Sequence, residues 1–275
     1  MASASAQALP PGRRSAFRLR GARLAPPLLT TAAMLALAEL LSRSGALPRD
    51  SFPPATEVLR ALADEARTAR FWQAVRETLQ GWALGLGIAA AWAIPAGVLL
   101  GSVWYAYRAA RGIVEFLRPI PSVALVPLAV LVYGTGTDSK VFLAAYAASW
   151  PLLIQTLYGV HDVDAVALET ARAYRVARRT RFLRVTLPSA APYVATGLRL
   201  ASTTALILAV TAELVIGSPG LGSQIALAEA SGATTPMYAL IAATGLLGLL
   251  LNGVFARAER RVLRWHTSQR REAAA

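Results

Sequence analysis

The stretch that decides the fold runs from residue 79 to residue 107 and has the sequence LQGWALGLGIAAAWAIPAGVLLGSVWYAY. None of its residues is charged. A helix needs about 20 mostly apolar residues to cross the hydrocarbon core of a bilayer. Glycines spaced four apart, Gly81/Gly85 and Gly97/Gly101, allow helices to approach closely in lipid. The stretch therefore predicts a membrane-spanning helix that packs tightly against a neighbour.

The composition of the whole chain also indicates a membrane protein. Of the 275 residues, 55% are hydrophobic and 16% are charged, against roughly 25% charged in a typical soluble domain. A soluble domain of this composition would expose large apolar patches, and intrinsic disorder requires low hydrophobicity, so both classes are excluded. With no cysteine and two histidines, we expect no disulfide, no metal site and no cofactor.

Five further apolar runs bring the predicted number of spans to six. They cover residues 24–41, 113–133, 141–160, 194–216 and 237–256. The predicted fold class is thus an all-α polytopic membrane protein with six transmembrane helices. The first run follows an arginine-bearing head and is also compatible with a cleaved signal peptide. Its length, and the lack of a clear A-x-A site, favour a retained span.

Two features inside the spans indicate a path through the bundle. The third run carries Pro119, Pro121 and Pro127. Each proline removes a helical hydrogen bond, so the break is expected to face protein or a water-lined path rather than lipid. Glu213 lies deep in the fifth run, and ionisable residues in spans usually face the bundle interior or a cavity. The alternative for Glu213 is a place near the outer end, within reach of headgroups or water.

The arginine distribution predicts the orientation in the membrane. With the N-terminus inside, 19 arginines fall on the inner side, whereas seven basic residues, Lys140 among them, fall on the outer side. Cytoplasmic flanks carry the excess of basic residues, so both termini are predicted to be cytoplasmic. The net charge of +13 is explained in this way rather than by nucleic-acid binding. On the outer side, residues 53–66 predict a capped amphipathic helix that opens near Thr56.

The inner connection between the fourth and fifth spans is the most informative. Residues 159–192 have the sequence GVHDVDAVALETARAYRVARRTRFLRVTLPSAAP. Asp162 and Asp164 predict a helix start, and Pro188 and Pro192 are expected to stop the second half. The pattern predicts a short amphipathic helix or a helix pair. On physical grounds alone, a basic interfacial helix held by anionic headgroups is an equal alternative.

A family resemblance decides between these alternatives. Glu169-Thr170-Ala171, followed later by Leu187-Pro188, resembles the EAA loop in permease subunits of bacterial ABC importers. The stretch from Ala212 to Ile225, with A-E-L-V-x-G and G-L-G-x-x-I, is similar to the nitrate/sulfonate/taurine branch of that family. So is the proline pattern that begins at Arg118. The resemblance covers roughly residues 55–265 and implies a type I permease-like bundle.

The resemblance also implies partners and a location. It implies a multi-pass subunit of the bacterial inner membrane that forms a homodimer and translocates a small solute such as nitrate, taurine or another sulfonate. A separate P-loop ATPase hydrolyses ATP, and an extracytoplasmic solute-binding protein delivers the solute. This chain itself is not expected to be an enzyme, and it has no G-x-x-x-x-G-K-[ST] phosphate loop. The expected divisions are a cytoplasmic head (1–23), a permease domain (24–265) with a coupling loop (161–192), and a cytoplasmic tail (266–275).

The resemblance assigns coupling to the ATPase to nine loop residues. They are Asp164, Val166, Leu168, Glu169, Ala171, Tyr174, Arg175, Leu187 and Pro188. The sequence departs from the family pattern at Thr170, where alanine is usual, and at Arg175, where glycine is usual. Only glycine adopts left-handed backbone cheaply. With arginine in its place, either a continuous helix replaces the turn or the turn shifts.

Three other function classes differ from this one in their sequence features. An intramembrane enzyme would need a motif such as G-x-S-x-G or H-E-x-x-H, and neither occurs. A secondary transporter would usually show internal repeats and ionisable residues in several spans. A secondary transporter and a non-transport membrane scaffold are the alternatives to the importer subunit.

Overall fold

The computed structural model describes residues 15–48 and 50–263, with side chains described from residue 29 onward. Within these ranges the chain forms helices and no strand, which confirms the all-α prediction. The predicted tail (266–275) lies outside the described residues, as does the predicted head (1–23) apart from the helical backbone that begins at residue 15. The chain divides into two compact units, residues 1–60 and 61–275.

The first unit contains α1 (Ser15–Arg43) and the start of α2 (Ala55–Glu65). The first predicted span falls within α1, and α2 is the helix predicted over residues 53–66. Thr56 does not cap α2, however. Its hydroxyl donates to Glu39 Oε1 at 2.8 Å and its backbone N–H donates to Glu39 Oε2 at 3.1 Å. The polar groups at the start of α2 therefore bind the end of α1.

The second unit contains the remaining helices. They are α3 (Ala69–Ser102), α4 (Trp104–Leu117), α5 (Val126–Tyr133), α6 (Thr137–His161), α7 (Ala165–Ala173), α8 (Arg178–Arg181), α9 (Leu187–Ile216), α10 (Leu221–Ala230) and α11 (Thr234–Val262). A 3₁₀ turn (Ser122–Leu125) precedes α5, and a π-helical turn (Phe182–Thr186) joins α8 to α9.

Four helices in the described ranges are long and apolar enough to cross a membrane: α3, α6, α11 and the continuous helix from Arg178 to Ile216. A fifth span is possible where α4 and the segment Ser122–Tyr133 pass the same test together, although they are bent by 84°. The bend contains Pro119 and Pro121, so the predicted proline break is present. The predicted number of six spans is not confirmed within the part of the chain that the structure describes.

The predicted limits of the second span were wrong at both ends. α3 begins ten residues earlier, at Ala69, where the Thr68 hydroxyl accepts a hydrogen bond from the Phe71 N–H at 3.2 Å. It ends at Ser102, so residues 104–107 belong to α4. Arg76 is exposed on the same turns that bury Phe71 and Thr78. The charges that ended the apolar run therefore occupy one face of a longer helix.

Pro188 and Pro192 do not stop the second half of the loop, contrary to the prediction. Pro188 lies in the first turn of α9 and Pro192 lies inside that helix. Proline cannot donate a backbone hydrogen bond, and its ring needs space near the carbonyl four residues earlier. The π-helical turn before Pro188 widens the helix where that space is needed. The chain therefore continues as one helix into the membrane-spanning part of α9.

The helix directions follow from the contacts between small residues. A Cβ on Gly85 would meet Ala144, and one on Gly97 would meet Thr156. Each contact joins residue i of α3 to residue i+59 of α6, so the two helices are parallel. Gly159 of α6 lies against Tyr193 of α9, whereas Lys140 of α6 contacts Glu213 of α9. Numbers thus rise along α6 as they fall along α9, and these two helices are antiparallel.

The bundle therefore has two distinct ends. α11 is antiparallel to α9, since Glu259 contacts Arg199 while Gly248 faces Leu206. We call one end the loop end: it holds the C-termini of α3, α6 and α11, the start of α9, and the connection 161–187. We call the other end the far end: it holds the N-termini of α3, α6 and α11, the C-terminus of α9, and α10. The core between them is built mostly of alanine and leucine on α3, α6 and α9.

Candidate functional site

The candidate site is the connection between α6 and α9 at the loop end of the bundle. Its helix, α7, begins as predicted at Asp164, whose Oδ1 accepts a hydrogen bond from the Val166 N–H at 2.8 Å. Val163, just before this cap, is buried and anchors the connection to the bundle. Capping satisfies an otherwise free N–H group and fixes where a helix begins. The start of α7 is therefore defined by its own sequence.

The end of α7 is a left-handed turn of the kind that glycine usually makes. Arg175 has φ +54°, and it is the single residue other than glycine with positive φ among the described residues. The Val176 N–H donates to the Ala171 carbonyl at 2.9 Å, and the Arg175 N–H donates to the Arg172 carbonyl at 2.9 Å. This pair of bonds is the Schellman motif, which needs a left-handed residue. The turn is neither replaced by helix nor shifted, and Arg175 bears the strain.

The outer face of α7 carries exposed side chains of mixed chemistry. Val166 is 70% exposed and Tyr174 is 81% exposed, and Glu169 is exposed between them. Glu169 makes no hydrogen bond or ion pair with any described residue. Exposed apolar groups beside an unpaired carboxylate are typical of a surface that binds a partner. We call Val166, Glu169 and Tyr174 the coupling surface.

The other predicted coupling residues occupy different surroundings. Leu168 and Ala171 are half-buried, on the face of α7 opposite the coupling surface. Leu187 and Pro188 lie in the first turn of α9 and are not part of α7. The structure therefore gathers seven of the nine predicted residues, from Asp164 to Arg175, in one helix and its caps.

Two polar contacts tie this end of the bundle together. The Tyr193 hydroxyl of α9 donates to the carboxylate of Asp162, which follows the last residue of α6. Arg199 of α9 pairs with Glu259 of α11, with Nη1 and Oε2 separated by 3.3 Å. Both contacts involve the first turns of α9. The first part of α9 is thus linked to the end of α6 and to α11.

A cavity of about 560 Å³ runs between α9 and α11. Its polar lining is uncharged and consists of Ser202, Thr203, Thr211, Thr244 and Asn252. None of the four predicted path residues (Pro119, Pro121, Pro127 and Glu213) lines this cavity. The predicted fifth span does contribute to it, through the face of α9 that carries Thr203 and Thr211.

Glu213 lies instead in a buried polar cluster at the far end, which we define as Thr78, Lys140 and Glu213. Lys140 Nζ is 2.9 Å from Glu213 Oε1, and both side chains are fully buried. Thr78 Oγ1 donates to Glu213 Oε2 at 2.9 Å. Sequence reasoning missed Thr78 and counted Lys140 among the charges outside the membrane. One signal was available: Lys140 is the only lysine among 28 basic residues.

Comparison with known proteins places this geometry in context. The family model described as "Binding-protein-dependent transport system inner membrane component" matches residues 93–264. The nitrate import permease protein NrtB of Leptolyngbya laminosa is 33% identical over 184 residues, which is 67% of this chain and 66% of that protein. The taurine transport system permease protein TauC of Escherichia coli is 31% identical over 219 residues, which is 78% of this chain and 80% of that protein.

The fold is also found among solved structures. An inward-facing structure of the MetNI methionine ABC transporter contains a chain that superposes with a TM-score of 0.61 at 21% identity. The superposition covers 70% of the present chain and 96% of that chain. At this level of identity, the likeness concerns the arrangement of the helices.

Proposed function

This chain belongs to the family of binding-protein-dependent transport system inner membrane components, and from that premise we propose that it is the membrane-spanning permease subunit of an ATP-driven importer. In this proposal the loop end faces the cytoplasm, where a separate P-loop ATPase binds the coupling surface. The far end faces outward and receives solute from an extracytoplasmic binding protein. The C-terminal end of α11 lies at the loop end, so the C-terminus is cytoplasmic in this orientation.

The observation that carries the proposal is the coupling surface. The α7 helix, capped by Asp164 and followed by the turn at Arg175, presents the Glu169 carboxylate between the exposed side chains of Val166 and Tyr174. The surface lies on the connection between α6 and α9, which are among the most closely packed helices of the bundle. A partner that moves α7 therefore acts directly on both.

The proposed mechanism is alternating access. ATP binding closes the ATPase pair and draws the α7 helices of two permease copies together. The motion passes through the base of α9, where Tyr193 binds Asp162 and Arg199 binds Glu259. The spans then open outward, solute enters, and ATP hydrolysis resets the bundle.

We place the translocation path along the cavity between α9 and α11. The cavity is open on the single chain, and a second copy of the chain would close it, as a homodimer around one path requires. The four path residues predicted from the sequence do not line this cavity, and their contribution to the path remains a separate prediction. The bilayer surrounds the remaining apolar faces, which expose residues such as Leu131 and Leu250.

The substrate class we propose is a small anion such as nitrate or a sulfonate like taurine. Two relatives carry nitrate and taurine in their names. The hydroxyls of Thr203, Thr211 and Thr244 donate to carbonyls of their own helices. The Asn252 amide can donate hydrogen bonds to an anion, and no carboxylate lines the cavity. Uncharged donors bind an anion loosely enough for release, as a path requires.

The test of the proposal is co-purification with the ATPase. Tagged chain is extracted in mild detergent, and the associated proteins are identified and quantified by mass spectrometry. We expect a P-loop ATPase in stoichiometric amount, and a loss of about tenfold in its recovery with Glu169→Ala, because a charge-assisted contact contributes about 1.5–3 kcal/mol. Glu229→Ala removes an exposed carboxylate at the far end and serves as the matched control, with recovery unchanged.

Two results would contradict the proposal. One is a well-folded chain that is reproducibly recovered without any ATPase. The other is a Glu169→Ala variant that binds the ATPase and supports solute uptake as well as the wild type does.

A further inference from the structure

We propose that Lys140 and Glu213 are positioning residues for the far end of the bundle. Together with Thr78 they fix the start of α10, so that a loaded solute-binding protein meets this end in a single geometry. This role rests on the proposed function, in which the far end faces outward. It adds to that function the identity of the groups that set the docking geometry.

Lys140 joins three separate elements through its ammonium group. Nζ donates to Glu213 Oε1 on α9 at 2.9 Å, to the Glu77 carbonyl on α3 at 3.0 Å, and to the Pro219 carbonyl in the following loop at 2.7 Å. An ammonium group has three donors, so each of them is satisfied. Lys140 itself lies on α6. The position of loop 217–220 is therefore fixed relative to α3, α6 and α9 at once.

Thr78 and Glu213 supply the cap that α10 lacks. The residue before α10 is Gly220, which has no side chain to cap the helix. The Leu221 N–H donates to Thr78 Oγ1 at 2.9 Å, and the Gly222 N–H donates to Glu213 Oε2 at 3.0 Å. These are two of the N–H groups that a helix leaves free at its start. A carboxylate there also interacts favourably with the helix dipole.

The backbone at Gly220 allows this loop little alternative. Its φ is +151°, and a Cβ at this position would fall on the Glu213 carboxylate. Residues other than glycine rarely adopt this backbone conformation. The loop thus lies directly on the buried polar cluster, and it cannot shift without breaking the bonds of that cluster.

The buried polar cluster adjoins the cavity between α9 and α11. Val210 lines the cavity, and its carbonyl contacts the position of Gly222 at the start of α10. Glu213 follows Val210 by about one helical turn. The cluster that fixes the start of α10 therefore lies about one helical turn from the lining of the cavity.

An ion pair is a costly way to fill this position if only stability is required. A buried pair contributes little net stability compared with well-packed apolar side chains of similar volume. What the pair adds is directional bonding: three bonds from Lys140 and two further bonds to Glu213 specify one arrangement of four helices. Positioning is accordingly the role that the geometry assigns to it.

The experiment uses the full complex of permease and ATPase in lipid nanodiscs. The companion solute-binding protein is saturated with taurine and titrated while the ATPase rate is recorded. Where taurine gives no stimulation of the wild type, nitrate is used instead. The variants are Glu213→Gln and Thr78→Val, with Thr78→Ser as the conservative control that keeps the hydroxyl. Lys140→Met is made alone and together with Glu213→Gln. The double variant removes both charges and retains an acceptor for Gly222.

We expect the half-saturating concentration of binding protein to rise about fivefold or more in Glu213→Gln and Thr78→Val, since each change removes or weakens a buried hydrogen bond at the start of α10. The maximal rate per assembled complex should stay near that of the wild type. Thr78→Ser should match the wild type. The double variant should lie closer to the wild type than Lys140→Met alone, because no uncompensated charge remains buried.

Several results would overturn this role. An unchanged half-saturating concentration in Thr78→Val would do so, as would a lower maximal rate with unchanged half-saturation, which is the mark of a merely structural contact. Should Glu213→Gln fail to assemble, the two Thr78 variants and the double variant decide the question. A wild-type complex that binds its ATPase but never responds to loaded binding protein contradicts the proposed function itself, and this role falls with it.

Discussion

A Cβ atom placed on Gly85 would lie 2.6 Å from the Cβ of Ala144, so α3 and α6 touch at this point with almost no side chain between them. The hydrophobic effect does not drive helix association in lipid. Helices that approach this closely are held together by van der Waals contact instead. The bundle therefore depends on small residues at particular positions rather than on apolar character in general.

The first prediction concerns this contact. Gly85→Val should destabilise the bundle by about 2 kcal/mol or more, because overpacking a tight interface forces backbone shifts. Gly87→Val is the matched control: it lies on the same helix, and a Cβ placed there would meet no neighbouring atom within 4 Å. The measurement is thermal unfolding in mild detergent, followed by size-exclusion chromatography. Equal melting temperatures for the two variants would contradict the close contact.

The second prediction concerns the strained turn after α7. Arg175→Gly should stabilise the turn by about 1 kcal/mol, since left-handed backbone costs a non-glycine residue about 1–2 kcal/mol. Amide hydrogen exchange in residues 165–176 should slow by about fivefold, the factor that corresponds to about 1 kcal/mol. Arg172→Gly, placed in the helical last turn of α7, should instead speed exchange. Faster exchange in Arg175→Gly would show that the turn is not left-handed.

The third prediction concerns the base of α9. Tyr193→Phe removes the hydrogen bond to Asp162 while keeping the ring that packs on Gly159. We expect hydrogen exchange of the amides at the end of α6 to become a few-fold faster, because a hydrogen bond to a charged group contributes to the stability of the helix end that it holds. Tyr158→Phe is the control, since Tyr158 is 54% exposed and its hydroxyl binds no described residue. The same small change in both variants would contradict the tie between α6 and α9.

The fourth prediction concerns the cavity. Thr203→Trp should fill part of the space between α9 and α11 and reduce solute uptake about tenfold, while ATPase recovery stays at the wild-type level. Leu200→Trp is the control, because Leu200 is on the same helix, is 43% exposed and does not line the cavity. Uptake is measured in proteoliposomes with labelled taurine or nitrate. Undiminished uptake in Thr203→Trp would place the path elsewhere.

Local sequence was enough to predict several parts of this protein. Long uncharged runs predicted the membrane class, Asp164 predicted where α7 begins, and the prolines after Arg118 predicted a broken helix. Each of these features depends on groups within a few residues of one another, such as a cap, a missing N–H or a run of apolar side chains. The structure confirms all three.

Other features could not be predicted from local sequence. Charges near residue 76 suggested that the second span begins later than it does, because a linear pattern does not show which face of a helix is exposed. The effect of Pro188 was misjudged, since a π-helical turn upstream accommodates it. Lys140 was assigned to the outer surface, because its partners lie 63 to 79 residues away along the chain.

The sequence alone therefore determined that this is a helical membrane protein with a short capped helix before α9, because apolar length and helix caps act over short distances. Only the tertiary structure decided which residues meet. It placed Gly85 against Ala144, gave Arg175 the left-handed backbone conformation that glycine usually adopts, and brought Lys140 to Glu213. The physical reason is that a buried charge needs a partner and a crossing helix needs space, and both are supplied by segments that are distant in the sequence.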